Sequence, residues 1–204
     1  MDFEQLVDGV IVNTNRPELM RETEQAILRS TQRLHQLDYF HADLCEGAIE
    51  FPATLTARID TKNLGATFRK MHSIFPFVNG RAVDKPIPPI PTDRIFDKAG
   101  KQGYYILGST LNIFSHTVLQ KVLVRFFSLP LTRGGNDYNS WIADRYPYAI
   151  IDDASAVVLA SVGQLEKANR FRALVGEKLP RPSGHIADIL ANEPFGDNPD
   201  DYPN

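Results

Sequence analysis

Apolar residues recur at steps of three and four between residues 15 and 37, which is the spacing of one face of an α-helix. The stripe consists of Leu19, Thr23, Ala26, Ile27, Ser30, Leu34 and Leu37. Asn15 is a favoured helix cap, Pro17 fits the first turn, and Glu18 has the spacing of a capping box. We predict a helix of about 20 residues, about 30 Å long, whose narrow apolar face packs against other helices.

Three further segments carry the same helical spacing. Asp2 can cap a short first helix that pairs with the long one as an αα-hairpin. Near the other end of the chain, one helix begins at Pro147 and another covers residues 164–175. Residues 1–47 and 131–179 are therefore predicted to form a four-helix bundle, closed by contacts far apart in the sequence.

Between these helical segments the apolar residues alternate instead, which is the spacing of β-strands. Strands are predicted over Ile49–Ile59, Phe68–Phe77, Tyr104–Leu107, Thr110–Phe114 and Val118–Phe127. Pro52 makes the first an edge or bulged strand, and Gly108-Ser109 is typical of a tight hairpin. One face of the last strand carries Val118, Val122, Val124 and Phe126. Residues 48–130 should form a small antiparallel β domain, with the proline-rich residues 79–91 as a stiff extended connector.

The last segment, residues 180–204, lacks either spacing and is rich in Pro, Gly, Asn and Asp. It carries five acidic residues and one Arg, a net charge of −4, against +1 for the rest of the chain. Four apolar residues interrupt it: Ile186, Ile189, Leu190 and Phe195. The pattern predicts an extended acidic arm that binds another subunit. The predicted fold is therefore α+β, and deleting the arm should leave the helices folded.

Composition narrows the class of protein. The 204 residues are 43% hydrophobic and 23% charged, as in an ordinary globular protein. The net charge of −3 gives no basic surface for wrapping nucleic acid. Cys45 is the only cysteine, so no intrachain disulfide can form. Because no signal peptide or long apolar run is visible, we expect a soluble chain that is neither secreted nor bound to a membrane.

Familiar catalytic motifs are missing from the sequence. Neither a phosphate-binding glycine loop nor a G-x-S-x-G motif occurs. The densest polar cluster is His35, Asp38, His41, Asp43 and Glu46, whose irregular spacing and lack of thiols disfavour zinc. We interpret that cluster as a hydrated helix end. No catalytic residue, metal site or cofactor is predicted.

Two pairs of carboxylates leave a hydrolase open as an alternative. Glu46 with Glu50, or Asp152 with Asp153, could act on a glycan if their separation in space were suitable. Asp152 and Asp153 are also explained by the dipole of the helix whose first turns they occupy.

Three segments in this order resemble the head-to-tail adaptor proteins of tailed bacteriophages, also called connector or tail tubular proteins. The first is TNRPEL at 14–19, followed by a helix ending in LHQLDYFHADL at 34–44. The second is the hairpin YYILGSTLNIFS at 104–115, ahead of a long strand. The third is SWIADRYPYAIIDDASAVVLASVGQLEKANRFRALV at 140–175. The resemblance covers residues 1–178 and leaves residues 79–91 and the tail unmatched.

This resemblance implies a structural protein of the virion without enzymatic activity, located at the portal–tail junction and made in the host cytoplasm. Its relatives are helical bundles bearing a β domain, assembled into rings commonly of twelve copies. The implied partners are further copies of the chain, the portal protein and a tail nozzle or tail tube protein, with genome DNA passing non-specifically through the lumen.

Three other functions remain open from the sequence. The first is a tail terminator or nozzle component of the same junction, which would not touch the portal directly. The second is a peptidoglycan-cleaving hydrolase, which would depend on Glu46 or Glu50. The third is a DNA-binding module, which the net charge disfavours.

Overall fold

A computed structural model describes residues 1–64, 67–78, 81–91, 102–130 and 134–193. Over these residues the chain divides into two compact units. The helical unit combines residues 1–43 with residues 129–193, and the sheet unit holds residues 44–128. The chain thus leaves the helical unit after Asp43 and returns at Leu129, close to the domain boundaries predicted after residues 47 and 130.

Six α-helices build the described part of the helical unit: α1 Phe3–Thr14, α2 Met20–His35, α3 Trp141–Arg145, α4 Pro147–Ser161, α5 Leu165–Val175 and α6 Gly184–Asn192. Asp2 caps α1 through a complete capping box with Gln5. The predicted cap of α2 is wrong, because Asn15 ends α1 in a left-handed conformation with φ of 52°. A short 3-10 turn, Pro17–Leu19, then separates the two helices.

Helix α4 lies at the centre of this unit, and α1, α2, α3, α5 and α6 all pack against it. Ten of its 15 residues are buried, which is more than the one face that a surface helix buries. At Gly9 of α1 the approach is so close that an added Cβ would lie 2.7 Å from Ile151 Cδ1. The predicted four-helix bundle is therefore wrong: one apolar helix is surrounded by five others, and α5 packs mainly on α4 and α6.

The prediction of an extended C-terminal arm is also wrong over residues 184–192, which form α6. Ile186, Ile189 and Leu190 are buried in the same core as α1, α2 and α4. Two glycines with positive φ, Gly176 and Gly184, let the chain cross itself closely just before this helix. The apolar residues of this segment therefore complete the core of their own chain.

The described sheet unit holds five antiparallel strands: β1 Leu44–Asp60, β2 Phe68–Val78, β3 Arg81–Ala82, β4 Gly103–Leu107 and β5 Thr110–Ser128. Strand β5 pairs with β1 along one edge and with β4 and β2 along the other. The predicted hairpin around Gly108 is confirmed. The interpretation of Pro52 is confirmed as well, because β1 is an edge strand whose register shifts between Glu50 and Thr54.

The two strands predicted over 110–114 and 118–127 are one strand with an irregularity between them. This irregularity reverses the predicted orientation of Val118, which is 59% exposed, whereas Leu119 is fully buried. Residues 81–91 run beside the sheet, where Ile87 N donates to Ile74 O and Ile90 N donates to Tyr104 O, both at 2.7 Å. Among the residues described, no helix has the length and apolar character needed to span a bilayer.

Candidate interaction surfaces

The two carboxylates of α4 that the hydrolase alternative pairs, Asp152 and Asp153, are directed to different helices. Asp153 accepts two hydrogen bonds from the Arg33 guanidinium of α2, at 3.0 and 2.6 Å. Asp152 lies 2.9 Å from His185 Nε2 of α6 and 3.3 Å from Asn13 Nδ2 of α1. They are the sixth and seventh residues of α4, so these partners, rather than the helix dipole, explain them. Each carboxylate fixes a neighbouring helix to α4.

A second set of polar contacts holds the other end of α6. Glu193, which follows the helix, is buried and accepts from Arg145 at 2.6 Å and from the Tyr146 hydroxyl at 3.1 Å. Burial and the hydrogen bond to Glu193 raise the pKa of Tyr146. The Glu193 carboxylate likewise raises the pKa of Arg145. Helix α6 is thus fixed at both ends, by His185 and by Glu193.

Asp43, His35 and Ser140 form a connected row that has the order of a Ser-His-Asp triad. His35 Nδ1 lies 2.8 Å from Asp43 Oδ1, and His35 Nε2 lies 2.9 Å from Ser140 Oγ. Trp141 Nε1 also donates to Asp43 Oδ1 at 2.8 Å. All three members of the row are buried, so a substrate has no access to Ser140. The row joins α2, α3 and the point where the chain leaves the helical unit.

The remaining members of the polar cluster predicted from sequence do not join this row. Asp38 pairs with Lys178, which also donates to Leu37 O, while Glu46 pairs with Arg125. His41 is exposed. Within the described residues, no three His, Cys, Asp or Glu side chains are grouped closely enough to hold a metal ion.

One face of the sheet carries a row of exposed charges over aromatic rings. Glu46 pairs with Arg125 at 2.6 Å, and Glu50 pairs with Lys121 at 2.9 Å. The two cations lie 5.3 Å from the ring centroids of Phe75 and Phe77, within cation–π range. Lys121 lowers the pKa of the Glu50 carboxyl through its hydrogen bond and its charge. Both acids that the hydrolase alternative requires are thus paired with cations.

An open depression of about 630 Å³ lies at the end of this row. The β1 bulge forms one side of it, and Phe77, Gln120 and Lys121 form the other. Its lining combines two aromatic rings, Phe51 and Phe77, with the paired charges of Glu50 and Lys121.

The two units carry opposite charge. Residues 44–128 contain eleven Lys and Arg against six Asp and Glu, a net of +5. Residues 1–43 and 129–193 contain eleven Lys and Arg against sixteen Asp and Glu, a net of −5, and residues 194–204 add −3. This division of charge is present in the sequence itself. It is not visible when the net charge is compared only between residues 180–204 and residues 1–179, because residues 1–179 combine the basic sheet segment with acidic helical segments.

Of the four residues expected to form a partner-binding arm, Ile186, Ile189 and Leu190 are core residues of the helical unit. Phe195 lies outside the described residues. Ile186, Ile189 and Leu190 are therefore brought together by the structure, but they pack in the core of their own chain.

No protein-family model and no curated protein matches this chain. The functional assignment depends on the resemblance carried by residues 14–44, 104–115 and 140–175 and on the surfaces described above.

Proposed function

We propose that this chain is a head-to-tail adaptor of a tailed bacteriophage, a structural virion protein without enzymatic activity. Copies of the chain form a ring, commonly of twelve, that joins the portal to the tail nozzle or tail tube, and genome DNA passes through it. The ring lies at the portal–tail junction of the virion and is assembled from chains made in the host cytoplasm.

One observation carries this proposal: the chain folds as two units with different surfaces. The helical unit is closed by both ends of the described chain, and an antiparallel sheet unit of opposite charge is inserted into it. A ring of identical copies needs two different contact surfaces on each copy, because each copy meets its two neighbours through opposite sides. A helical surface and a sheet surface supply that asymmetry.

The states of the candidate catalytic groups support a structural role. Asp152 and Asp153 bind partners on other helices, Glu46 and Glu50 are paired with cations, and Ser140 is buried. A nucleophile or a general acid must reach its substrate. The side chains of these five residues instead connect helices or neighbouring strands.

The test is binding to the portal protein of the same virus. Purified portal rings are mixed with the chain and sedimented, and the bound chain is counted from gel bands. We expect saturable binding to portal alone. Binding that requires a further tail protein would favour the terminator or nozzle alternative, and binding to neither would contradict the proposal.

A second assay addresses the hydrolase alternative. Digestion of purified peptidoglycan is compared for the unaltered chain, Glu46→Gln and Glu50→Gln. We expect no digestion by any of them. Digestion that the two substitutions abolish would contradict the structural assignment.

A further inference from the structure

Two exposed acids of the helical unit lie on one face of α1. Glu4, Asp8 and Val12 follow each other at steps of four and therefore lie on the same face of the helix. All three are exposed, and Val12 is 78% exposed. Neither Glu4 nor Asp8 forms an ion pair with any described residue. We call Glu4, Asp8 and Val12 the acidic face.

The sheet unit has a segment of matching chemistry. Arg81 in β3 and Lys85 just after it are exposed, and the exposed Val83 lies between them. Among the described residues neither cation has an ion-pair partner. Asp84 is the one acid within Arg81–Lys85, so the segment keeps a net charge of +1. We call Arg81, Val83 and Lys85 the basic segment.

We propose that the acidic face of one copy docks on the basic segment of a second copy of this chain. The inference rests on the proposed ring and names the contact that joins neighbouring copies. Two carboxylates meet two cations, and Val12 is covered together with Val83. The contact joins two different surfaces, so it leaves the basic segment of one copy and the acidic face of the other free, and further copies can be added around a ring.

Charge complementarity favours a second copy over DNA as the occupant of the basic segment. The +5 of residues 44–128 is matched by the −5 of residues 1–43 and 129–193 of the same sequence. DNA would meet the basic segment but would be repelled by the acidic face, whereas a second copy uses both surfaces. The exposed valine in each surface also has no role in phosphate binding.

The test uses charge-swapped variants of the full-length chain. One variant carries Glu4→Lys and Asp8→Lys, a second carries Arg81→Glu and Lys85→Glu, and a third carries all four changes. The control swaps Glu166→Arg and Arg170→Glu, an exposed ion pair within α5 that the proposal does not use. Assembly is followed by sedimentation velocity at low and high salt, and folding of both units is checked by circular dichroism and Trp141 fluorescence in urea.

We expect the first and second variants to assemble about tenfold more weakly than the unaltered chain, because two attractions become two repulsions. The third variant should assemble again with itself but not with the unaltered chain. High salt should weaken the unaltered assembly, since exposed charges are screened beyond about 8–10 Å. The control should behave as the unaltered chain does.

Normal assembly of the first two variants would overturn the proposed contact, as would a third variant that stays as defective as they are. Loss of DNA binding in the second variant without loss of assembly would assign the basic segment to DNA and overturn it too. If the unaltered chain forms no ring with or without portal, the proposed function itself fails. Rings that ignore every swap contradict the contact alone.

Discussion

The substitution Ile189→Ala distinguishes two interpretations of residues 184–192: a helix that belongs to the core, or an extended arm that does not. Ile189 is fully buried and packs with α1, α2 and α4 in the core of the helical unit. If residues 184–192 were an extended arm, shortening this side chain would leave the stability of an isolated chain unchanged. If α6 belongs to the core, the substitution leaves a cavity.

The size of the effect follows from burial. Burying an isoleucine side chain contributes roughly 1.5–3 kcal/mol, and the cavity left by truncation raises the loss to roughly 2–5 kcal/mol. For a unit of about 100 residues, each kcal/mol lowers the melting temperature by about 4–8 °C. Ile189→Ala should therefore melt at least about 8 °C below the unaltered chain.

Trp141 makes the assay specific for the helical unit, because it is the only tryptophan and belongs to α3. Its fluorescence is followed during urea unfolding and during heating. Leu179→Ala is the matched control: Leu179 is 75% exposed, so its truncation should change the free energy of unfolding by less than about 0.5 kcal/mol. An Ile189→Ala chain as stable as the control would refute the placement of α6 in the core.

Three further predictions concern the contacts around α4 and α6. Arg33→Ala should lower the free energy of unfolding by roughly 1–3 kcal/mol, because it leaves the buried Asp153 carboxylate without the two hydrogen bonds from the half-exposed Arg33. The loss is measured by urea unfolding. A loss no larger than that of Arg170→Ala, which removes an exposed ion pair, would contradict this prediction. Gly184→Ala should destabilise the chain strongly, because φ is 56° and the added Cβ would meet Leu174 O, whereas Gly47→Ala meets nothing within 4 Å and should be nearly neutral; an equal effect of the two on thermal melting would be inconsistent with the close crossing. Burial raises the pKa of the Tyr138 hydroxyl. The stability that Tyr138 contributes is therefore complete below about pH 10, the pKa of an unfolded tyrosine, and is lost as pH rises through the higher folded-state pKa. The urea midpoint should fall less steeply above about pH 10 for Tyr138→Phe than for the unaltered chain, and an equal slope would exclude Tyr138 as the cause of the fall.

Local patterns in the sequence predicted the elements of the sheet unit well, because turn chemistry and alternation act over a few residues. Gly108 fixed the hairpin, and Pro52 marked the edge strand with its bulge. Val118 was misplaced because alternation presumes a regular pleat, and one shift in register exchanges the two faces. Pro52 marks this irregularity on β1, but no residue of β5 indicates that the two faces are exchanged there.

The arrangement of the helices could not be predicted in the same way. A stripe at steps of three and four shows that α2 has a buried face, but it does not say which helix covers that face. Helix α4 is apolar almost all round, which is the signal of a central helix. Gly176 and Gly184 allow the close crossing that brings α6 back, and the Pro- and Gly-rich composition of residues 180–204 did not indicate it.

The candidate catalytic groups were resolved only by contacts between distant residues. Asp152 and Asp153 are adjacent in sequence, yet two of their partners, Asn13 and Arg33, lie 139 and 120 residues away. His35 and Asp43 belong to the predicted polar cluster. Their further partners, Ser140 and Trp141, lie 105 and 98 residues further along the chain. Sequence spacing carries no information on such pairings.

The mass of the assembled particle, measured with and without portal protein of the same virus, tests the proposed function most directly. We predict a closed ring of the chain, commonly twelve copies, that forms on portal and adds a whole-number multiple of 22.9 kDa to the portal's own mass. A chain that stays at 22.9 kDa under both conditions, and leaves the mass of portal unchanged, would contradict the assignment as an adaptor.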